Sequence, residues 1–190
     1  MARVKECPLD DPHHLASFYF DNTSMKDMSH ETINVLVLCT GNSCRSVMGE
    51  ALVTALGQGR YQGHSAGSKP IGRINAGALA TLARHQLPTE GYSSKSMEAF
   101  RDQPIDILIS VCDSAGQEPC PVFLGPAIRA HWGVEDPGHL KGTPEEIIAA
   151  FDKTFDILKR RVQAMVELPI ETMSKEALTE ELQRIGREIQ

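Results

Sequence analysis

The first sustained apolar run is Ile33-Asn34-Val35-Leu36-Val37-Leu38, short, β-branched and flanked by polar residues. That composition is expected of a parallel strand buried on both faces. Over 46–56 the pattern changes, with Val47, Met48, Ala51, Leu52 and Leu56 on one helical stripe and Gly57 and Gly59 closing it. Residues 61–65 read as a second strand. Residues 75–85 read as a second helix with Ala76, Leu79, Ala80 and Leu82 inward. A third apolar strand covers 105–111 and a weaker fourth covers 128–132. Pro144 suits the first turn of a long helix to about residue 166, with Ile147, Ile148, Phe151, Phe155, Leu158 and Val162 on one face. Residues 174–189 predict a last amphipathic helix, charged and peripheral. Residues 1–31 are polar and irregular, apart from Leu15, Phe18, Tyr19 and Phe20, which could form one docked helical turn.

Strands alternating with helices imply right-handed crossovers and a parallel sheet covered on both faces. The expected fold class is α/β, a three-layer sandwich with a four-stranded parallel sheet. The expected division is an N-terminal extension (1–31), a main domain (32–168) and a C-terminal helical tail (169–190). Ligands of such sheets bind beyond the carboxyl ends of the strands. The segments 39–46, 112–120 and 133–137 each follow a strand, so all three should meet at one edge.

Charge narrows the function. A net charge of −6 and a pI near 5.6 argue against a nucleic-acid partner, while a few local cations can still hold a small anion. No apolar run approaches the roughly 20 residues that span a bilayer. The first 30 residues lack a basic start followed by an apolar core, so a cytoplasmic protein is expected. Five cysteines, at 7, 39, 44, 112 and 120, are an odd number in a chain long enough to fold without disulfides. Reactive chemistry is the better reading. A zinc site would prefer Cys-x2-Cys pairs or clustered histidines, which these spacings do not give.

The chemistry concentrates in Cys39-Thr40-Gly41-Asn42-Ser43-Cys44-Arg45-Ser46. A loop between a strand and a helix N-terminus can turn successive N–H groups inward and cradle a tetrahedral oxyanion. Thr40 to Ser46 would form that cradle, Gly41 would allow the turn, and Arg45 would offer a planar fork to two oxyanion oxygens. Asn42 and Ser46 would brace the loop and hydrogen-bond the sulfur. The same field favours the nucleophilic thiolate of Cys39. The Walker-type lysine of nucleotide-binding loops is missing.

This segment resembles the signature of the low-molecular-weight phosphotyrosine phosphatases and of the arsenate reductases that share their fold, over roughly residues 33 to 165. The choice between the two rests on Val111-Cys112-Asp113-Ser114-Ala115-Gly116-Gln117-Glu118-Pro119-Cys120-Pro121. A phosphatase needs no cysteine pair at that edge, whereas a reductase needs two electrons, which paired thiols supply. The segment resembles the redox segment of the reductases, as does His131-Trp132-Gly133-Val134-Glu135-Asp136-Pro137. Phosphatases of this fold usually place aromatic residues after their Asp-Pro, and here Gly138-His139 follow.

The resemblance implies arsenate reduction in arsenic detoxification, with phosphate or sulfate as analogues of arsenate. Cys39 would attack arsenic, Cys112 would attack Cys39, Cys120 would resolve the disulfide, and Asp136 would manage a proton. Thioredoxin, or glutathione with glutaredoxin, would restore the thiols, and no cofactor would be tightly bound. A potassium site in some relatives would correspond here to Asn42, Glu50 and Ser65, its fourth ligand falling near 94–98, where no Asp stands. Cys44 reads as a packing residue that could also protect Cys39 by transient pairing. Two alternatives remain: a tyrosine phosphatase, and a non-catalytic oxyanion or redox sensor.

Overall fold

The computed structural model describes residues 32–112 and 126–190. The 1–31 extension, with Cys7 and the Leu15–Phe20 cluster, and residues 113–125, with Cys120, lie outside the described residues. Four parallel strands form one sheet in the order β2-β1-β3-β4: β1 (Ile33–Cys39), β2 (Tyr61–Gly67), β3 (Ile107–Ser110) and β4 (Ile128–His131). Helices α1 (Arg45–Gly57), α2 (Ala76–Arg84), α3 (Pro144–Val166) and α4 (Lys175–Glu188) complete it. Strand β1 is paired on both sides, with Ile33 opposite Tyr61 and Val35 opposite Ile107.

Residues of a strand alternate between its two faces, and β1 divides its side chains accordingly. Val35, Val37 and Cys39 enter the larger core with α1, α2, α3 and α4. Leu36 and Leu38 enter a smaller one with Met97 and Phe100 of a 3-10 turn. Strand β3 splits likewise, Ile107 and Ile109 against Leu108. The α/β sandwich is thus covered on both faces, but unequally among the described residues. Helix α1 lies close over β2 because residue 63 is glycine: a Cβ there would sit 2.3 Å from the Glu50 carbonyl oxygen.

Helix α3 starts with a capping box: Thr143 accepts from the Glu146 amide, and the Glu146 carboxylate takes the Thr143 amide. Phe151, Phe155, Leu158 and Val162 are buried as the periodicity predicts. Ile148 is exposed, while its neighbour Ile147 packs against the larger core. In α2 the inward face is Ala78, Thr81 and Leu82, so of the four expected inward residues only Leu82 is buried. Alanines carry little directional signal, and it is Phe151, packed against Gly77, that sets the rotation of this helix.

The last helix is not peripheral. Leu178, Leu182 and Ile185 belong to the larger core, each worth about 1.5–3 kcal/mol when fully buried. Trp132 Nε1 donates to the Leu182 carbonyl at 2.8 Å, and Gln183 Nε2 donates to the Arg129 carbonyl at 3.2 Å. Helix α4 therefore covers β4, an edge strand whose free backbone groups would otherwise be open to pairing. Arg161 of α3 is 1% exposed and donates to the carbonyls of Trp132 (2.7 Å), Gly133 (3.2 Å) and Ile189 (2.9 Å). It fastens the segment after β4 to both α3 and the end of the chain.

A Cβ at Gly186 would lie 2.4 Å from the His131 carbonyl oxygen and 2.6 Å from the Trp132 ring. Gly186→Ala is expected to cost about 1–3 kcal/mol by overpacking, measured by denaturant unfolding. An unchanged midpoint would mean that α4 does not seat on β4 as described.

Candidate active site

The loop 40–44 leaves the end of β1 and enters α1. Its carbonyls are fastened from one side: the amides of Lys69, Ile71 and Asn75 donate to Thr40 O (2.9 Å), Gly41 O (3.1 Å) and Ser43 O (2.8 Å). In a trans peptide the N–H points opposite to the C=O of the same plane. The amides of Gly41, Asn42 and Cys44 are thereby turned away from the 69–75 segment, toward the other side of the loop. Successive amides so aligned, next to the N-terminus of α1, form an anion seat. The left-handed residue is Asn42 (φ 43°), not Gly41 as the sequence suggests; asparagine tolerates that region better than most residues.

Asn42 is fully buried and its amide orientation is settled by one neighbour. The backbone N–H of Lys95 can only donate, and it does so to Asn42 Oδ1 at 2.7 Å. Nδ2 must then face the opposite way, where it donates to Ser46 Oγ (3.0 Å) and Ser65 Oγ (2.9 Å). Ser46 Oγ lies 2.9 Å from Cys39 Sγ. With an oxygen lone pair already taken by Asn42, the Ser46 hydroxyl is free to donate its proton to the sulfur. Cys39 itself is buried at the end of the central strand.

Arg45 is also buried. Nη1 donates to the carbonyls of Val111 (3.4 Å) and Val134 (3.1 Å), and Nη2 pairs with Asp136 Oδ2 at 2.6 Å. Of its five N–H groups, that of Nε and one of Nη2 take no part in these contacts. The other Asp136 oxygen accepts the Gly138 amide at 2.9 Å. Asp136 is thus both a turn cap before Pro137 and the partner of Arg45. His139 Nδ1 lies 3.4 Å from Asp136 Oδ2 and is mostly exposed.

Cys112 follows β3 and is half-buried; its sulfur lies 3.4 Å from Thr40 Oγ1. The structure therefore brings Cys39, Thr40, Arg45, Cys112 and Asp136 to one edge of the sheet, the carboxyl ends of β1, β3 and β4. Cys120 lies outside the described residues. Burial pushes the Cys44 thiol up, and the Asp136 carboxylate and Cys39 add to that effect, so Cys44 stays protonated at the start of α1. Among the described cysteines none is in a disulfide. His131 Nδ1 faces Ser110 Oγ across β3 and β4 at 2.8 Å, and Trp132 is held by α4. A groove of about 500 Å³ lined by Glu135, Asp136, Leu140, Lys153 and Arg161 runs behind Asp136, and no residue of 39–46 lines it.

Asn42, Glu50 and Ser65 also come together, Ser65 donating to the Glu50 carboxylate. As a potassium site the set does not fit. Hard cations are held by oxygen lone pairs, whereas Asn42 turns its N–H donors to this side and the Ser65 proton is directed at Glu50. The Lys95 ammonium lies 3.9 Å from Glu50 Oε2. Burial pushes the Glu50 carboxyl up, partly offset by the Ser65 hydrogen bond and then by the Lys95 charge. Among the described residues no group of three or more His, Cys, Asp or Glu side chains could hold a metal.

Sequence reasoning missed the outer supports of this site: the Val111 and Val134 carbonyls under Arg45, Ser94, whose hydroxyl donates to Gly41 O at 3.1 Å, and Lys95. The first two act through the main chain and leave no side-chain signal. Lys95 stands in a Ser-Ser-Lys-Ser run that is unremarkable in a surface loop.

Comparison with known proteins agrees with this geometry. The low molecular weight phosphotyrosine protein phosphatase family matches residues 34–184. An arsenate reductase of Bacillus licheniformis is 31% identical over 74% of this chain and 98% of its own. A glutaredoxin arsenate reductase of Synechocystis is 31% identical over 54% of this chain and 77% of its own. The solved structure of an arsenate reductase in the phosphate binding state superimposes with a TM-score of 0.60 at 26% identity, covering 71% of this chain and 97% of the other. Among the described residues no helix is long and apolar enough to cross a membrane. With a family match over residues 34–184 and a relative 31% identical over 98% of its own length, the chain belongs to the low molecular weight phosphotyrosine protein phosphatase family, among its arsenate reductases.

Proposed function

We propose that the protein reduces arsenate to arsenite through a relay of three thiols. The observation that supports this most is the thiol of Cys112 beside Thr40, the residue after Cys39, since hydrolysis of a phosphate ester has no use for a second sulfur there. Arsenate enters the 39–46 loop, its oxygens on the turned amides and on the Nε/Nη2 edge of Arg45. The Cys39 thiolate attacks arsenic. An As–O bond breaks, and the leaving oxygen takes a proton, supplied by Asp136, and departs as water.

The Cys112 thiolate then attacks Cys39 Sγ. As the S–S bond forms, the S–As bond breaks and its electron pair stays with arsenic, which falls from the +5 to the +3 state and leaves as arsenite. Cys120 attacks Cys112, freeing Cys39 and moving the disulfide to Cys112–Cys120. An external dithiol, from thioredoxin or from glutathione with glutaredoxin, takes over that disulfide. Each displacement requires a thiolate. Cys44, held protonated, stands outside the relay. The reaction belongs in the cytoplasm, where thiols are kept reduced. The name of the Synechocystis relative supports the glutaredoxin route.

The loop with Cys39, Arg45 and Asp136 also has every group a phosphatase needs, and two variants separate the readings. Cys39→Ser is expected to abolish arsenate reduction while leaving the thermal midpoint near wild type; retained turnover would refute the nucleophile. Cys112→Ser is expected to lose multiple-turnover reduction yet keep hydrolysis of p-nitrophenyl phosphate, and normal arsenate reduction by this variant would end the relay. Running the NADPH-coupled assay once with thioredoxin and its reductase, and once with glutathione and glutaredoxin, is expected to give turnover with one donor well above the other. Hydrolysis without reduction in either assay would make the protein a phosphatase.

A further inference from the structure

Lys95 holds the floor of the 39–46 loop through both its backbone and its side chain. Its N–H fixes the orientation of Asn42, its carbonyl accepts the Gly67 amide at 2.9 Å, and its ammonium lies 3.9 Å from the Glu50 carboxylate. Glu50 keeps 16% of its side chain exposed and Lys95 keeps 28%. A carboxylate that far from bulk water needs a positive partner or several donors. Among the contacts of the described residues, Glu50 has one hydroxyl, that of Ser65, and one cation, that of Lys95.

The carboxylate is connected to the reacting sulfur in four contacts: Glu50 to Ser65, Ser65 to Asn42, Asn42 to Ser46 and Ser46 to Cys39. The Lys95 amide sets the orientation of Asn42, and the Glu50 carboxylate sets that of the Ser65 hydroxyl. If Glu50 lost its counter-charge it would draw in whatever cation or proton was available, and the Ser65 hydroxyl that faces it would shift in response. We propose that Lys95 is a positioning residue, a built-in counter-cation for Glu50 that makes a bound monovalent metal ion unnecessary at the base of the loop.

The inference rests on reading 39–46 as the reacting loop only for its effect on turnover; its effect on stability stands apart. The test uses the full chain, Lys95→Met, Glu50→Gln and the double variant. Thermal midpoint and arsenate turnover are measured in choline, sodium and potassium chloride at equal ionic strength. The wild type is expected to have the same midpoint in all three salts. Lys95→Met is expected to lose about 2–4 °C in choline chloride and to regain the loss either saturably with potassium or in the double variant, where the carboxylate charge is gone too.

Selective, saturable stabilisation of the wild type by potassium would overturn the proposal. So would a Lys95→Met midpoint equal to wild type in choline chloride, or a loss restored neither by potassium nor by Glu50→Gln. Where no variant and no wild-type sample reduces arsenate, the midpoints still decide the role of Lys95, and it is the catalytic reading that fails.

Discussion

A peptide plane can offer an anion only one of its two edges, and the loop between β1 and α1 works because neighbouring segments determine which edge that is. The amides of Lys69, Ile71 and Asn75 draw the carbonyls of Thr40, Gly41 and Ser43 outward, and the opposed N–H groups follow from planarity alone. The rest of the site is an elaboration of that constraint. Asn42 accepts the one left-handed conformation in the loop, with three hydrogen bonds to hold it there. Such a residue persists only where its surroundings over-determine it.

The second organising contact is between Arg45 and Asp136. It joins the start of α1 to the segment after β4, and with the Val111 and Val134 carbonyls it fixes the guanidinium plane. A planar, permanently charged fork held at three points loses little freedom when an oxyanion arrives at its remaining edge. Asp136 is held from the other side by the Gly138 amide, so the carboxylate has a set position as well as a set partner.

Much of this was legible in the residues. The sheet could be read because β1 and β3 are continuous apolar runs, and the site because Cys39, Arg45 and Ser46 stand at a fixed spacing between a strand and a helix. Illegible were contacts whose information is carried by the main chain or by tertiary packing. Nothing in the alanine-rich α2 told which side Phe151 would press on. The charged composition of α4 concealed Leu178, Leu182 and Ile185, three residues enough to bring it into the core. Lys95 reads as an ordinary loop lysine until its amide is seen on Asn42.

The buried Arg161 couples residues 189–190 to the segment that carries Asp136, beside which Gln190 lines the same groove. Its guanidinium clasps Ile189 with one nitrogen and the Trp132 and Gly133 carbonyls with another, three residues ahead of Asp136 in the chain. Anything that loosens the terminus, whether trimming by a peptidase or a bulky fusion, would transmit slack along that clasp to the carboxylate facing Arg45. The tail is thus a splint for the segment that carries Asp136 rather than packaging around the fold.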